Sequence, residues 1–219
     1  MLAANFGGIL FAYRFFGKTG LLIWIPIAAI IANIQVVKTV ELFGITATLG
    51  NIVYATSFLA TDILNENYGK KEAGKAVYIG FFSLILLTIM MNLALLFKPD
   101  SSDFAQESLS TIFSIMPRIT LGSLIAYGVS QLHDVWAYNF WKQRNPEKKF
   151  LWIRNNLSTM VSQLIDSAVF TVIAFLGLFP TEVFIEILIT TYIFKLIVAA
   201  LDTPFLYIAK GWKDKGIIK

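Results

Sequence analysis

The chain has 219 residues, 57% of them hydrophobic and only 15% charged, with a formal net charge of +4 and no cysteine. Disulfides, thiolate metal sites and cysteine catalysis are therefore excluded, and a single histidine, His133, excludes a histidine metal cluster. The apolar fraction exceeds the roughly 45–50% of soluble domains and comes in near-continuous runs, so one integral membrane domain over residues 1–219 is expected.

A membrane span needs about 20 apolar residues. The first candidate, 2–13, is short, interrupted by Asn5, Gly7 and Gly8, and ends at Arg14. It reads as a span rather than a signal peptide, because no basic residue precedes it and no small-x-small cleavage site follows. Further spans are expected at 21–37, 50–64, 76–97, 118–141, 156–179 and 183–208. Residues 101–115 read as a surface loop with a short amphipathic helix. The expected fold is an all-α membrane bundle of six to seven transmembrane helices.

Of the eighteen Lys and Arg residues, all but Lys38, Lys98, Arg118 and Lys195 fall in the loops after spans one, three and five or after span seven. Those segments share one side if the spans alternate. Basic loops stay cytoplasmic, which predicts an outer N-terminus, a cytoplasmic C-terminus and a multi-pass membrane protein. The same rule explains the basic charge without nucleic acid. One motif is a decoy: Gly69-Lys-Lys-Glu-Ala-Gly74-Lys75 fits seven positions of a phosphate-binding loop. Ala76 then stands where a hydroxyl must hold magnesium.

Polar residues inside the spans are the main functional signal. Tyr54, Phe58, Asp62 and Glu66 recur every four residues, placing two rings and two carboxylates on one helix face. Asn51 opens the same segment. Gln35 and Lys38 lie at the end of span two, where Lys38 either joins the site or snorkels to the outer surface. Gln131, Asp134 and Tyr138 form a stripe in span five, in which Asp134 is either a ligand contact or a structural acid. Asn155, Thr159, Ser162, Gln163, Asp166 and Phe170 form one in span six, and Thr191, Lys195, Ala199 and Asp202 another in span seven. His133 reads as lying off the polar face.

Five ionisable groups, Asp62, Asp134, Asp166, Lys195 and Asp202, would cost roughly 2.5–3.5 kcal/mol each in lipid. They must face one another or a hydrated cavity. Asp166 with Lys195 is either part of that cavity or an ion pair locking two helices. The sequence Ser-Gln-Leu-x-Asp occurs at both 130–134 and 162–166, as either an inverted repeat or chance in so short a match would produce. An intramembrane enzyme would need a nucleophile beside a base, or a metal, and the serines are read as lacking a histidine partner. Catalytic residues, metal and cofactor are therefore expected to be absent, and a small-solute transporter is favoured.

The runs ANIQVVKTVELFG (32–44), TLGNIVYATSFLATDILNENYGKKEA (48–73), SDFAQESL (102–109), SQLHDVW (130–136), WIRNNLSTMVSQLIDS (152–167) and KLIVAALDTPFLYIAK (195–210) resemble the queuosine precursor transporter family. These are small bacterial membrane proteins of the vitamin uptake transporter type. The resemblance covers the chain from Leu21 onward; relatives tend to carry a fuller first hydrophobic segment. It implies uptake of 7-deazaguanine bases or queuine for tRNA modification, and a bundle similar to the substrate-binding subunits of energy-coupling-factor transporters. A guanine-type ring offers an N–H and an amino group that one carboxylate accepts together, a carbonyl that wants a donor, and a face that stacks on aromatic rings. On that ligand, Asp166 with Gln163 reads the ring edge, Asp62 and Asn51 complete the polar shell, and Tyr54, Phe58 and Phe170 stack. Lys195 and Asp202 balance charge or couple a proton. Expected partners are the heterocyclic substrate and the lipid bilayer, with a homo-oligomer or an energising membrane partner left open. The alternative is a substrate-binding subunit of an ATP-driven transporter for another small heterocycle.

Overall fold

The computed structural model describes residues 1–42, 44–144 and 151–218, with side chains described for these except at 70, 131–132, 134–135, 138–139, 141–144, 151–159 and 203. In chain order the elements are α1 (Leu2–Gln35), β1 (Thr39–Leu42), β2 (Ile45–Thr48), α2 (Gly50–Tyr68), α3 (Lys70–Ala94), α4 (Gln106–Phe113), α5 (Met116–Arg144), α6 (Leu151–Phe175) and α7 (Thr181–Asp214). The fold is that of an all-α membrane protein. Among the described residues, Leu2–Gln35, Lys71–Ala94, Gln106–Ser130 and Thr181–Asp214 are long and apolar enough to cross a bilayer, and Met160–Phe175 is a shorter apolar helix. α2 is more polar than these because Asp62, Glu66 and its Asn, Ser and Thr residues interrupt the apolar run.

The chain divides into two compact units, one made of Met1–Pro117 with Phe194–Lys219, the other of Arg118–Ile193. In the first, α1 is not a straight rod. Gly17 adopts φ 55, ψ −138, a conformation open to glycine and strained for other residues. A Cβ on Gly20 would lie 2.2 Å from the Ala12 carbonyl oxygen, and one on Gly8 would lie 2.5 Å from the Trp24 ring. In a continuous helix residues 8 and 24 would be about 24 Å apart. The contacts therefore require two antiparallel arms, 2–16 and 18–35, folded back at Gly17.

The second arm packs on α2 through small residues. A Cβ on Gly50 would fall 2.1 Å from the Ala32 carbonyl oxygen, and Ala28, Ala32 and Val53 are buried together. Close backbone approach at small residues is how helices gain contact energy in lipid, where hydrophobic burial alone gives little. A larger core joins both arms to α2, α3 and the end of α7: Phe6, Ile9, Tyr13, Leu21, Leu59, Ile63, Ala76, Val198 and Ile218 are all buried in it.

Between α1 and α2 lies an antiparallel hairpin, with Thr39 opposite Thr48 and Leu42 opposite Ile45 and Gly44 at φ 79 in the turn. Helical spans alone do not reveal it, although Thr39, Val40, Ile45, Thr46 and Gly44 carry the β-branched and turn chemistry of a hairpin.

One end of this unit gathers the turn at Gly17, the turn at Gly69 and the end of α7. Lys18 pairs with Glu72 at 2.8 Å, and Lys210 pairs with Glu66. Lys213 stands 4.5 Å over the Tyr68 ring, and Asn67 Nδ2 donates to the Tyr13 hydroxyl at 2.9 Å. Arg14 lies 6.0 Å over Trp212. At α4, Asp103 Oδ1 accepts from the backbone N–H groups of Ala105 and Gln106 and so caps the helix start.

In the second unit the Arg118 guanidinium donates to the carbonyls of Ile173 and Leu176, satisfying orphan acceptors at the end of α6. Tyr192 on α7 donates to the Met160 carbonyl at 3.4 Å.

The hairpin geometry makes a direct prediction. Gly20→Ala and Gly50→Ala each place a methyl against backbone that cannot swing away, and each should lower stability by about 1–3 kcal/mol. Gly7→Ala and Gly74→Ala meet open space and should be neutral, or stabilising by about 0.5–1 kcal/mol. Thermal unfolding in detergent would separate the pairs; equal midpoints for Gly20→Ala and the parent would refute the folded-back arms.

Candidate functional site

α2 sets the first half of the site because its spacing keeps Asn51, Tyr54, Phe58 and Asp62 along one side. Asn51 is buried, and its amide nitrogen donates to Thr48 Oγ1 at 2.6 Å. Tyr54 and Phe58 meet edge to face, with ring centroids 5.4 Å apart. Lys195 on α7 is only 5% exposed, and its ammonium lies 5.5 Å from the centroid of the Tyr54 ring. A desolvated cation over an aromatic face gains about 2 kcal/mol or more, which offsets part of the cost of keeping the lysine away from water.

Asp62 is exposed although Ile63 and Leu64 beside it are fully buried, and Asp202, half-buried on α7, is its electrostatic neighbour. Gln35 is half-buried with its Oε1 sealed and unpartnered among the described residues. Lys38 is exposed beyond the end of α1. The first unit thus brings Tyr54, Phe58 and Lys195 into one cluster, pairs Asp62 with Asp202, and leaves Lys38 outside both.

The second unit carries the other set. Asp166 on α6 is 6% exposed, and Ser130 on α5 donates to its Oδ1 at 3.4 Å. Ser162 Oγ lies 3.0 Å from His133 Nδ1. The two Ser-Gln-Leu-x-Asp repeats therefore cross: the serine of each meets the other repeat. This corrects two expectations. His133 lies on the polar seam between α5 and α6, and one serine does have a histidine neighbour. The reason is spacing: Ser130 and His133 lie three residues apart, so both sit on a side of α5 turned to α6.

Gln163 Oε1 is buried with no partner among the described residues, and so is Thr171 Oγ1 two turns further along α6. Phe170 is half-buried and meets Phe175 edge to face at 5.8 Å. The side chains of Gln131, Asp134 and Asn155 lie outside the described residues. Asp166 and Lys195, weighed above as an ion pair, belong to different units.

Sequence spacing missed Trp24, Ser130, Thr171 and the Ser162–His133 contact. Trp24 is half-buried with its indole nitrogen sealed and unpartnered among the described residues. The signal for it was its place four residues before Ala28 and eight before Ala32, on the small-residue side of an otherwise apolar helix. The first unit offers aromatic faces, a sheltered cation and an exposed and a half-buried acid, and the second offers a buried acid and orphan hydrogen-bonding atoms. Such groups suit recognition of a flat, polar-edged molecule.

Comparison with known proteins points the same way. The family described as "Putative vitamin uptake transporter" matches residues 48–209. A "Probable queuosine precursor transporter" of Bacillus subtilis (strain 168) is 52% identical over 202 residues, covering 92% of this chain and 88% of that protein. A protein of the same description from Haemophilus influenzae is 28% identical over 71% of this chain and 65% of its own length. The "Queuosine precursor transporter" of Escherichia coli (strain K12) is 25% identical over 77% of this chain and 74% of its own length. No solved structure matches the chain. With a family match over most of its length and a relative more than half identical across nearly all of it, this chain belongs to the queuosine precursor transporter family of multi-pass membrane proteins.

Proposed function

We propose that this protein imports queuosine precursors, 7-deazaguanine bases or queuine, across a bacterial inner membrane for salvage into tRNA modification. The observation that carries the reading is the buried Asp166 with the orphaned Gln163 Oε1 one turn before it. In a membrane protein an acceptor sealed without a donor, as Gln163 Oε1 is among the described residues, is costly unless a ligand or water meets it. A carboxylate accepts the paired N–H and amino groups of a guanine-type ring, and the names of the relatives supply the solute class. Tyr54, Phe58 and Phe170 serve as stacking faces, and Asn51 belongs to the polar shell. Lys195, Asp62 and Asp202 hold charge balance or carry a coupling proton. Asp134, Gln131, Asn155, Gln35 and Lys38 complete the candidate set.

The gathering of the Gly17 turn, the Gly69 turn and the end of α7 at one end supports an alternating topology, with that basic end and the C-terminus cytoplasmic. No catalytic step is assigned. A substrate-binding subunit would need an energising membrane partner; reconstituted protein that transports alone would dispense with one.

Cells unable to make 7-deazaguanines should accumulate labelled precursor when they express the protein. Asp166→Asn and Asp62→Asn should each lower uptake at least tenfold at equal protein level; wild-type uptake by both would remove them from the site. Binding adds a second check. A deazaguanine at a hundredfold excess over its Kd should stabilise the purified protein by about 2.7 kcal/mol, whereas unrelated vitamins at the same concentration should leave its melting midpoint unchanged.

A further inference from the structure

Three side-chain polar atoms described in the first unit are sealed from water without a hydrogen bond: Glu72 Oε2, which pairs with Lys18, and Trp24 Nε1 and Gln35 Oε1, which meet no partner among the described residues. The last two lie on the second arm of α1. With Ala28 and Ala32 between them they fall at 24, 28, 32 and 35, one stripe at helical spacing. That stripe is the side turned to α2, since Ala28, Ala32 and Val53 are buried together with Trp24 and Tyr54 packed against them. Tyr54 in turn lies beneath the Lys195 ammonium.

Trp24 is also seated from behind. A Cβ on Gly8 would fall 2.5 Å from its Cη2 and 3.0 Å from its Cζ3, so the indole occupies a slot that a glycine leaves open. A core that needed only apolar volume there would be served by a ring with no polar atom. An N–H buried without an acceptor loses its hydration and gains nothing in return, and such a group in a native structure calls for a physical cause. A ligand that arrives during function supplies one.

We propose that Trp24 is a substrate-binding residue whose Nε1–H donates to the carbonyl oxygen of a guanine-type ring, with Gly8 holding the indole in position. The inference rests on the import reading above and adds a residue that fixes which edge of the ring is presented. Chemistry selects the carbonyl. The indole nitrogen donates and never accepts, so it needs an acceptor on the ligand. Gln35 Oε1, an acceptor on the same stripe, suits a ring N–H or amino group instead.

The test uses the full chain purified in detergent, titrated with 7-deazaguanine and with 2-amino-7-deazapurine, which lacks the carbonyl oxygen. The parent protein should bind the first at least tenfold more tightly. Trp24→Phe keeps an aromatic ring and loses the N–H; it should bind 7-deazaguanine about tenfold more weakly and discriminate between the two ligands severalfold less than the parent, the ring N–H that the second ligand also lacks accounting for what discrimination is left. Gly8→Ala should shift discrimination in the same direction by displacing the indole, while Gly7→Ala, which meets open space, should leave both affinities unchanged. Parental discrimination in Trp24→Phe, or equal weakening toward both ligands, overturns the inference and leaves the import reading standing. If Trp24→Phe does not fold, Gly8→Ala decides: unchanged discrimination overturns the inference. A parent protein that binds no deazaguanine overturns the import reading, and the role of Trp24 with it.

Discussion

A lysine held away from water inside a membrane protein must be met by electron density, and here Lys195 is met by the face of Tyr54. That contact ties α7 to α2 and orients the polar side of α2. The same tyrosine braces Phe58 edge to face, so two rings and a cation form one rigid group. Aromatic stabilisation of a desolvated cation is weaker than a full ion pair with hydrogen bonds. The contact with Tyr54 thus offsets part of the cost of burying the ammonium.

That group depends on helices lying unusually near one another. Gly50 allows α2 to reach the Ala32 carbonyl, Gly20 allows the two arms of α1 to close, and Gly8 makes room for Trp24. In lipid, closeness of this kind replaces the hydrophobic drive that packs a soluble core. Glycine at these positions thus acts through shape, and the backbone conformation of Gly17 supplies the reversal that brings them into register. In the second unit the equivalent function is served by polar contacts. The crossed serines of the two repeats, Ser130 with Asp166 and Ser162 with His133, fasten α5 to α6.

Much of this was legible in the residues. The four-residue recurrence of Tyr54, Phe58 and Asp62 identified a helix face without any partner in view, because spacing alone determines what shares a face. The rotation of that face toward a neighbour is another matter. On α5 the stripe at 131, 134 and 138 looked polar and His133 did not, yet Ser130 and His133 meet α6, and only packing reveals such a contact. A reversal between 13 and 21 was legible from the two apolar runs and the basic residues between them, but its seat at Gly17 was not, because a positive φ leaves no trace in hydropathy. The hairpin at 39–48 was overlooked because an apolar-span search treats everything between spans as loop. Trp24 escaped because an indole in an apolar run looks like core until its nitrogen is found without an acceptor.

The folded-back first arm has a consequence for the surrounding bilayer. Residues 2–16 reach about 22 Å at about 1.5 Å per residue, short of a hydrocarbon layer of about 30 Å. Phe11, Phe15 and Phe16 point outward from it. A short apolar rod in thick lipid is relieved by local thinning, at a fraction of a kcal/mol per Å of mismatch. Acyl chain length is accordingly a variable that acts on this protein: bilayers of shorter-chained lipids match the arm as it stands, and thicker, sterol-stiffened ones must deform to wet it.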